Sequence, residues 1–182
     1  PWVFLFLIPA ITMKSFSEEY DTGTIELLKT NPISNWQITI GKFIATLLLI
    51  LITIIPTISY AYTVYKLGSP EGNIDFGSTM GSFLGLLFLG AIYSAIGLFT
   101  SSFSKNQVVS FIASVCITFF LFYGFDALAL SFNNNTISFA QLGINEHYKS
   151  ISRGVIDTRD ITYFLSSIFF FLFITKTRLD NE

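Results

Sequence analysis

The sequence predicts an all-α protein, a polytopic transmembrane helical bundle, on three observations. Hydrophobic residues fill 52% of the 182 positions, aromatic residues 17% and charged residues only 12%, an apolar content above that of soluble domains. Several uncharged runs are long enough to cross a hydrocarbon layer about 30 Å thick, which takes roughly 20 helical residues. The ionisable residues gather between those runs and not inside them, as an apolar solvent demands.

In chain order, Pro1 to Met13 is apolar but too short to cross, and it reads as the tail of a span that begins upstream. It lacks the basic start and small-residue cleavage site of a secretory signal. A polar loop follows at 14–42, carrying Glu18, Glu19, Asp21 and Glu26. Within it, Thr24 is placed to cap a short helix ending at Lys29 or Thr30, with Glu26 near its positive end. Asn31-Pro32 stops that helix. Ser34 and Gln37 match a capping box, so a second helix starts there and enters the membrane past Trp36, Gly41 and Lys42.

Spans are expected at about 43–65, 76–104, 106–130 and 160–176, all within one transmembrane domain covering residues 1–182. The last has only about 15 residues between Asp160 and Lys176, so it borrows turns from its flanks or its cations snorkel. In the second span Gly77, Gly81 and Gly85 fall four apart, a stripe of small residues that permits close approach of another helix. Between the last two spans a helical hairpin is expected at about 142–160. Ile144, Tyr148, Ile151 and Val155 recur at helical spacing there, suited to a membrane surface, and Gly154 ends the helix. Asp157 and Asp160 then occupy the cap and first turn of the last span.

Counting crossings puts Lys14, Lys29, Lys42, Lys105, Lys176 and Arg178 on one side, and Lys66, Lys149, Arg153 and Arg159 on the other. The positive-inside rule makes the first side cytoplasmic.

The residues that would carry chemistry are few. One cysteine, Cys116, excludes a disulfide framework, and one histidine, His147, has only Glu146 beside it, so no catalytic residue, cofactor or metal site is expected. His147 reads as an interfacial side chain, and so does Asp126 at the end of its span. Uncharged spans disfavour an ion-driven carrier. Gly41-Lys42 lacks the earlier glycine and following hydroxyl of a phosphate loop, so the chain binds no ATP itself. The acidic loop instead reads as a docking element for a separate engine. A loop resting on anionic headgroups is the competing reading, and its four acids oppose it.

Two motif groups carry a family resemblance. The first is Pro9-x-x-Thr12-Met13-Lys14, Glu18-Glu19, Gly23-Thr24-x-Glu26-Leu27-Leu28, Pro32-Ile33-Ser34 and Gly41-Lys42; the second runs from Ile151 through Arg153, Gly154, Asp157 and Asp160 to Phe164. Together they resemble the type-2 class of ABC transporter permeases, and within it the permeases of gliding-motility-associated transporters. The resemblance implies six membrane helices, of which this chain supplies the end of the second and all of the third to sixth. It implies a coupling helix seated in a groove of an ABC ATPase subunit, carried onto Glu18, Glu19, Gly23, Thr24, Glu26 and Leu28, with ATP and magnesium on that partner. It further implies a second permease chain, surrounding membrane lipid, no nucleic acid, and residence in the bacterial inner membrane. A non-transporting scaffold for a motility or secretion assembly is the alternative from a different class.

Overall fold

The computed structural model describes residues 1–30, 32–68, 75–131 and 139–181, which are helical with no strand among them. The helices are α1 (Trp2–Thr12), α2 (Lys14–Thr22), α3 (Ile25–Thr30), α4 (Asn35–Leu67), α5 (Phe76–Phe103), α6 (Gln107–Phe119), α7 (Phe125–Ser131), α8 (Ile144–Ser152) and α9 (Thr158–Asp180). A π-helical turn, Phe120–Gly124, joins α6 to α7, and a 3-10 turn, Phe139–Leu142, precedes α8. Among the described residues, four segments are long and apolar enough to cross a membrane: α4, α5, Gln107–Ala129 and α9. The Asn134-Asn135-Thr136 triplet, which matches a glycosylation acceptor, and Asn31 of the helix stop lie outside the described residues.

Helix α5 is the axis of the bundle, in contact with α1, α2, α4, α6, α8 and α9. Every residue from Leu89 to Leu98 is buried, which is where a helix apolar on all sides belongs. The outer helices turn Leu48, Ile52 and Ile55 of α4, Ile112 and Phe119 of α6, and Phe169, Phe170 and Phe173 of α9 outward. Hydrocarbon is as apolar as these side chains, so the helices are held by close packing and hydrogen bonds and not by hydrophobic exclusion.

The glycines of α5 supply that packing to three different neighbours. A Cβ on Gly97 would lie 1.9 Å from Thr12 Oγ1 of α1, and one on Gly90 would lie 3.1 Å from Ile50 of α4. Toward the other end, a Cβ on Gly81 would lie 2.3 Å from the Ile151 carbonyl oxygen, and one on Gly85 would lie 3.2 Å from the Tyr148 ring. The stripe is therefore filled by α8 of the same chain. This corrects the expectation that the apolar face of α8 lies on the membrane surface: Ile144 and Ile151 are fully buried against α5, and only Val155 stays exposed. Gly154, at φ +83°, ends the hairpin helix as expected and sits against the backbone of Gly77.

Other local signals appear as the sequence wrote them. Ser34 accepts from the Gln37 amide while the Gln37 side chain accepts from the Ser34 amide, closing the capping box of α4. Asp157 caps α9 through the Arg159 amide. Because α9 extends from Thr158 to Asp180, it does borrow turns on both sides of its apolar stretch. The stretch 14–22, expected as loop, is instead helix α2, for a tertiary reason given below.

The glycine contacts differ in what can yield. Gly81→Ala must displace backbone, whereas Gly85→Ala meets a flexible ring. The first should cost about 1–3 kcal/mol, read as a lower unfolding midpoint in detergent and faster proteolysis near Arg153, and the second far less. Equal losses would contradict the packing.

Candidate functional site

The lower end of the bundle gathers α2, α3, the start of α4, the end of α5, the start of α6 and the end of α9. In an unbroken helix the Phe16 amide would bond the carbonyl four residues back. Here it donates to Ser101 Oγ of α5 at 2.9 Å, the same oxygen accepts from the Ser17 amide at 3.0 Å, and Ser101 donates in turn to the Met13 carbonyl at 3.0 Å. A side chain of α5 is thus inserted into the hydrogen-bond ladder between α1 and α2, which breaks the helix at Met13 and caps α2 from outside. Ser17 Oγ also bonds the Met13 carbonyl and lies 3.1 Å from Ser110 Oγ of α6. Ser17, Ser101 and Ser110 are all buried. Sequence reasoning passed over this joint because its members lie 84 and 93 residues apart; the only local hint is that hydroxyls appear where lipid-facing residues would be apolar.

Helix α2 ends at Gly23, in the left-handed region at φ 74° and ψ 5°, a conformation open to glycine and costly for other residues. The Thr24 carbonyl then accepts from the Leu27 and Leu28 amides and starts α3, while its hydroxyl pairs with Thr22 at 2.9 Å. The short helix predicted from Thr24 is present at Ile25–Thr30, with Glu26 in its first turn.

The six residues singled out here are not equivalent. Glu18, Gly23, Thr24 and Glu26 are exposed, as is Asp21, and Leu28 is partly covered. Glu19 faces inward. Its Oε1 accepts from Lys42 Nζ of α4 at 2.5 Å, the two side chains being 23% and 22% exposed, and the same ammonium bonds the Ser15 carbonyl and lies 4.7 Å over the Phe16 ring. With the Phe16 ring fully buried, this cluster fixes α2 to α4. The acid that the sequence could not tell from its neighbour therefore does a different job.

A second clamp ties α4 to α9. Asn35 Nδ2 donates to Asp180 Oδ1 at 2.8 Å, Lys176 pairs with the other carboxylate oxygen, and Trp36 packs on Phe169 and Phe173 at 6.1 and 6.4 Å between ring centres. Beside it lies a groove of about 630 Å³ lined by Ile33, Trp36, Lys176 and Asp180 among others. No group of histidine, cysteine and acidic residues able to hold a metal exists among the described residues.

Ser101→Ala should strand the Phe16 amide, at about 1–3 kcal/mol for a buried unsatisfied donor. Hydrogen exchange at Phe16 should accelerate while the amides at the centre of α5 stay protected; unchanged exchange there would contradict the joint.

A family model described as ABC-2 family transporter protein matches residues 3–175 of the chain. No curated protein matches it.

Proposed function

The chain belongs to the ABC-2 family of transporter proteins, and from that premise we propose that its lower end is the docking and coupling surface for an ABC ATPase. Membership makes the chain a multi-pass membrane permease of an ABC transporter, the membrane component and not the ATPase. The observation that carries the proposal is the serine joint: a load applied to α2 and α3 passes through Ser101 into α5, which touches most of the other helices.

In this reading the lower end faces the cytoplasm of a bacterial inner membrane, in keeping with the lysine bias. Glu18, Gly23, Thr24, Glu26 and Leu28 meet the ATPase, with Asp21 beside them, and Glu19 holds the lever in place through Lys42. The partner binds ATP and magnesium, and closure of its nucleotide sites moves the α2–α3 unit. A second permease chain, identical or related, completes the path, and export is the direction. The motif resemblance to gliding-motility permeases supports a role in that machinery. Exposed acids are suited to a basic groove, since charge complementarity across a rim governs recognition and association rate.

Glu26→Lys, alone and with Glu18→Lys, should weaken co-purification of the ATPase about tenfold and uncouple ATP hydrolysis from transport, with membrane insertion unchanged. Glu19→Gln should instead lower thermal stability. Full ATPase recovery and undiminished ATP-dependent transport in the charge-reversed double variant would refute the docking role.

A further inference from the structure

At the upper end, the only histidine of the chain, on α8, is buried against α9. The sequence suggested an interfacial side chain, but His147 and Asp160 are each only 6% exposed. His147 Nδ1 lies 2.7 Å from Asp160 Oδ1, and Nε2 lies 2.9 Å from the backbone carbonyl oxygen of Gln141. The ring is stacked on Tyr163, 4.0 Å between centres and 19° from parallel.

The two contacts fix a proton count. A backbone carbonyl only accepts, and an ionised carboxylate only accepts, whereas a neutral imidazole carries a single N–H. Neutral His147 beside ionised Asp160 would therefore leave one nitrogen lone pair facing an oxygen lone pair at under 3 Å. Both contacts are hydrogen bonds only when the pair carries one more proton. It then exists either as imidazolium beside carboxylate or as imidazole accepting from a carboxylic acid. Either form is neutral overall, which suits a site where an unpaired charge is costly.

We propose that His147 and Asp160 form a binding site for one proton, and that this proton latches the α8 hairpin to α9. When it leaves, one of the two contacts turns repulsive and opens, and α8 keeps its glycine packing on α5, the Ser78 and Ser82 bonds to the Ser152 carbonyl and the Asn145 bond to Asp126, 2.5 Å long. The surrounding groups do not supply a substitute charge. On α9, Arg159 is engaged with the Gln141 side chain at 2.9 Å, Asp157 caps the helix, and Tyr163 Oη donates to the Leu142 carbonyl at 2.7 Å. On α8, Glu146 and Lys149 pair with each other on the exposed face at 3.1 Å, and Tyr148, whose hydroxyl burial pushes toward a higher pKa, lies against Gly85. Asp126 of α7 is held by Asn145, and α5 contributes no charged side chain.

A single imidazole makes the test direct. The full chain labelled with ¹⁵N-histidine and ¹³C-aspartate, folded in lipid at neutral pH, should show either both ring nitrogens protonated or Nδ1 bare beside a protonated Asp160 carboxyl. As pH rises and the proton is lost, exchange of the α8 amides should accelerate about tenfold beyond the intrinsic base-catalysed increase, the equivalent of one lost hydrogen bond. Asp160→Asn supplies an amide N–H to Nδ1 in place of the shared proton, so in that variant the excess acceleration should vanish while His147 stays neutral. A neutral ring beside an ionised Asp160 in the folded wild-type protein would overturn the proposal. So would the same excess acceleration in wild type and Asp160→Asn; if that variant does not fold, the wild-type spectrum decides alone.

Discussion

The structure depends on how closely other backbones can approach α5. In water, apolar side chains drive helices together; in hydrocarbon that drive is absent, and contact distance takes its place. Gly97, Gly90, Gly85 and Gly81 remove side chains where α1, α4 and α8 press against α5. Dispersion contacts are individually small and fall away with a gap of an ångström or less, so these omissions decide whether the outer helices are held or drift. Gly97 serves α1, Gly90 serves α4, and Gly85 and Gly81 serve α8, and one helix thereby organises the bundle.

The two ends are secured by different means, and the difference follows from what each end holds. At the lower end hydroxyls replace backbone carbonyls as hydrogen-bond partners, so that α2 begins wherever α5 presents Ser101. The neighbouring ion pair, Lys42 with Glu19, fixes the same helix to α4. At the upper end the hairpin rests on bare backbone, Gly154 against Gly77, and Ser78 and Ser82 donate to the Ser152 carbonyl at 3.3 and 3.1 Å. Both arrangements satisfy polar groups in places where water is scarce, and both join elements distant in sequence through α5.

What the sequence made readable and what it hid divide along the same line. The helical class, the apolar runs, the Ser34 capping box, the Asp157 cap and the Gly154 stop all follow from signals within a few residues of one another. Helix α2 was missed because Ser15, Ser17, Asp21 and Thr22 are weak helix formers, and its first amides are capped by a residue far along the chain. The burial of His147 was missed because Asp160 lies 13 residues away and Tyr163 further still. Likewise, Glu18 and Glu19 are indistinguishable in composition, and only the approach of Lys42 from α4 separates an exposed acid from an internal one. The α8 face was read correctly as apolar but assigned to lipid, since a periodicity reports that a face is covered without reporting by what.

The π turn at Phe120–Gly124 accommodates one residue more than an α-helical turn would. Each residue of an α-helix advances the face by about 100°, so the segment beyond the turn is rotated relative to an uninterrupted helix. That rotation is what aims Asp126 at Asn145. Shortening the turn by a single residue would swing the carboxylate away from its amide partner. One surplus residue thus sets the compass bearing of everything that follows it in α7.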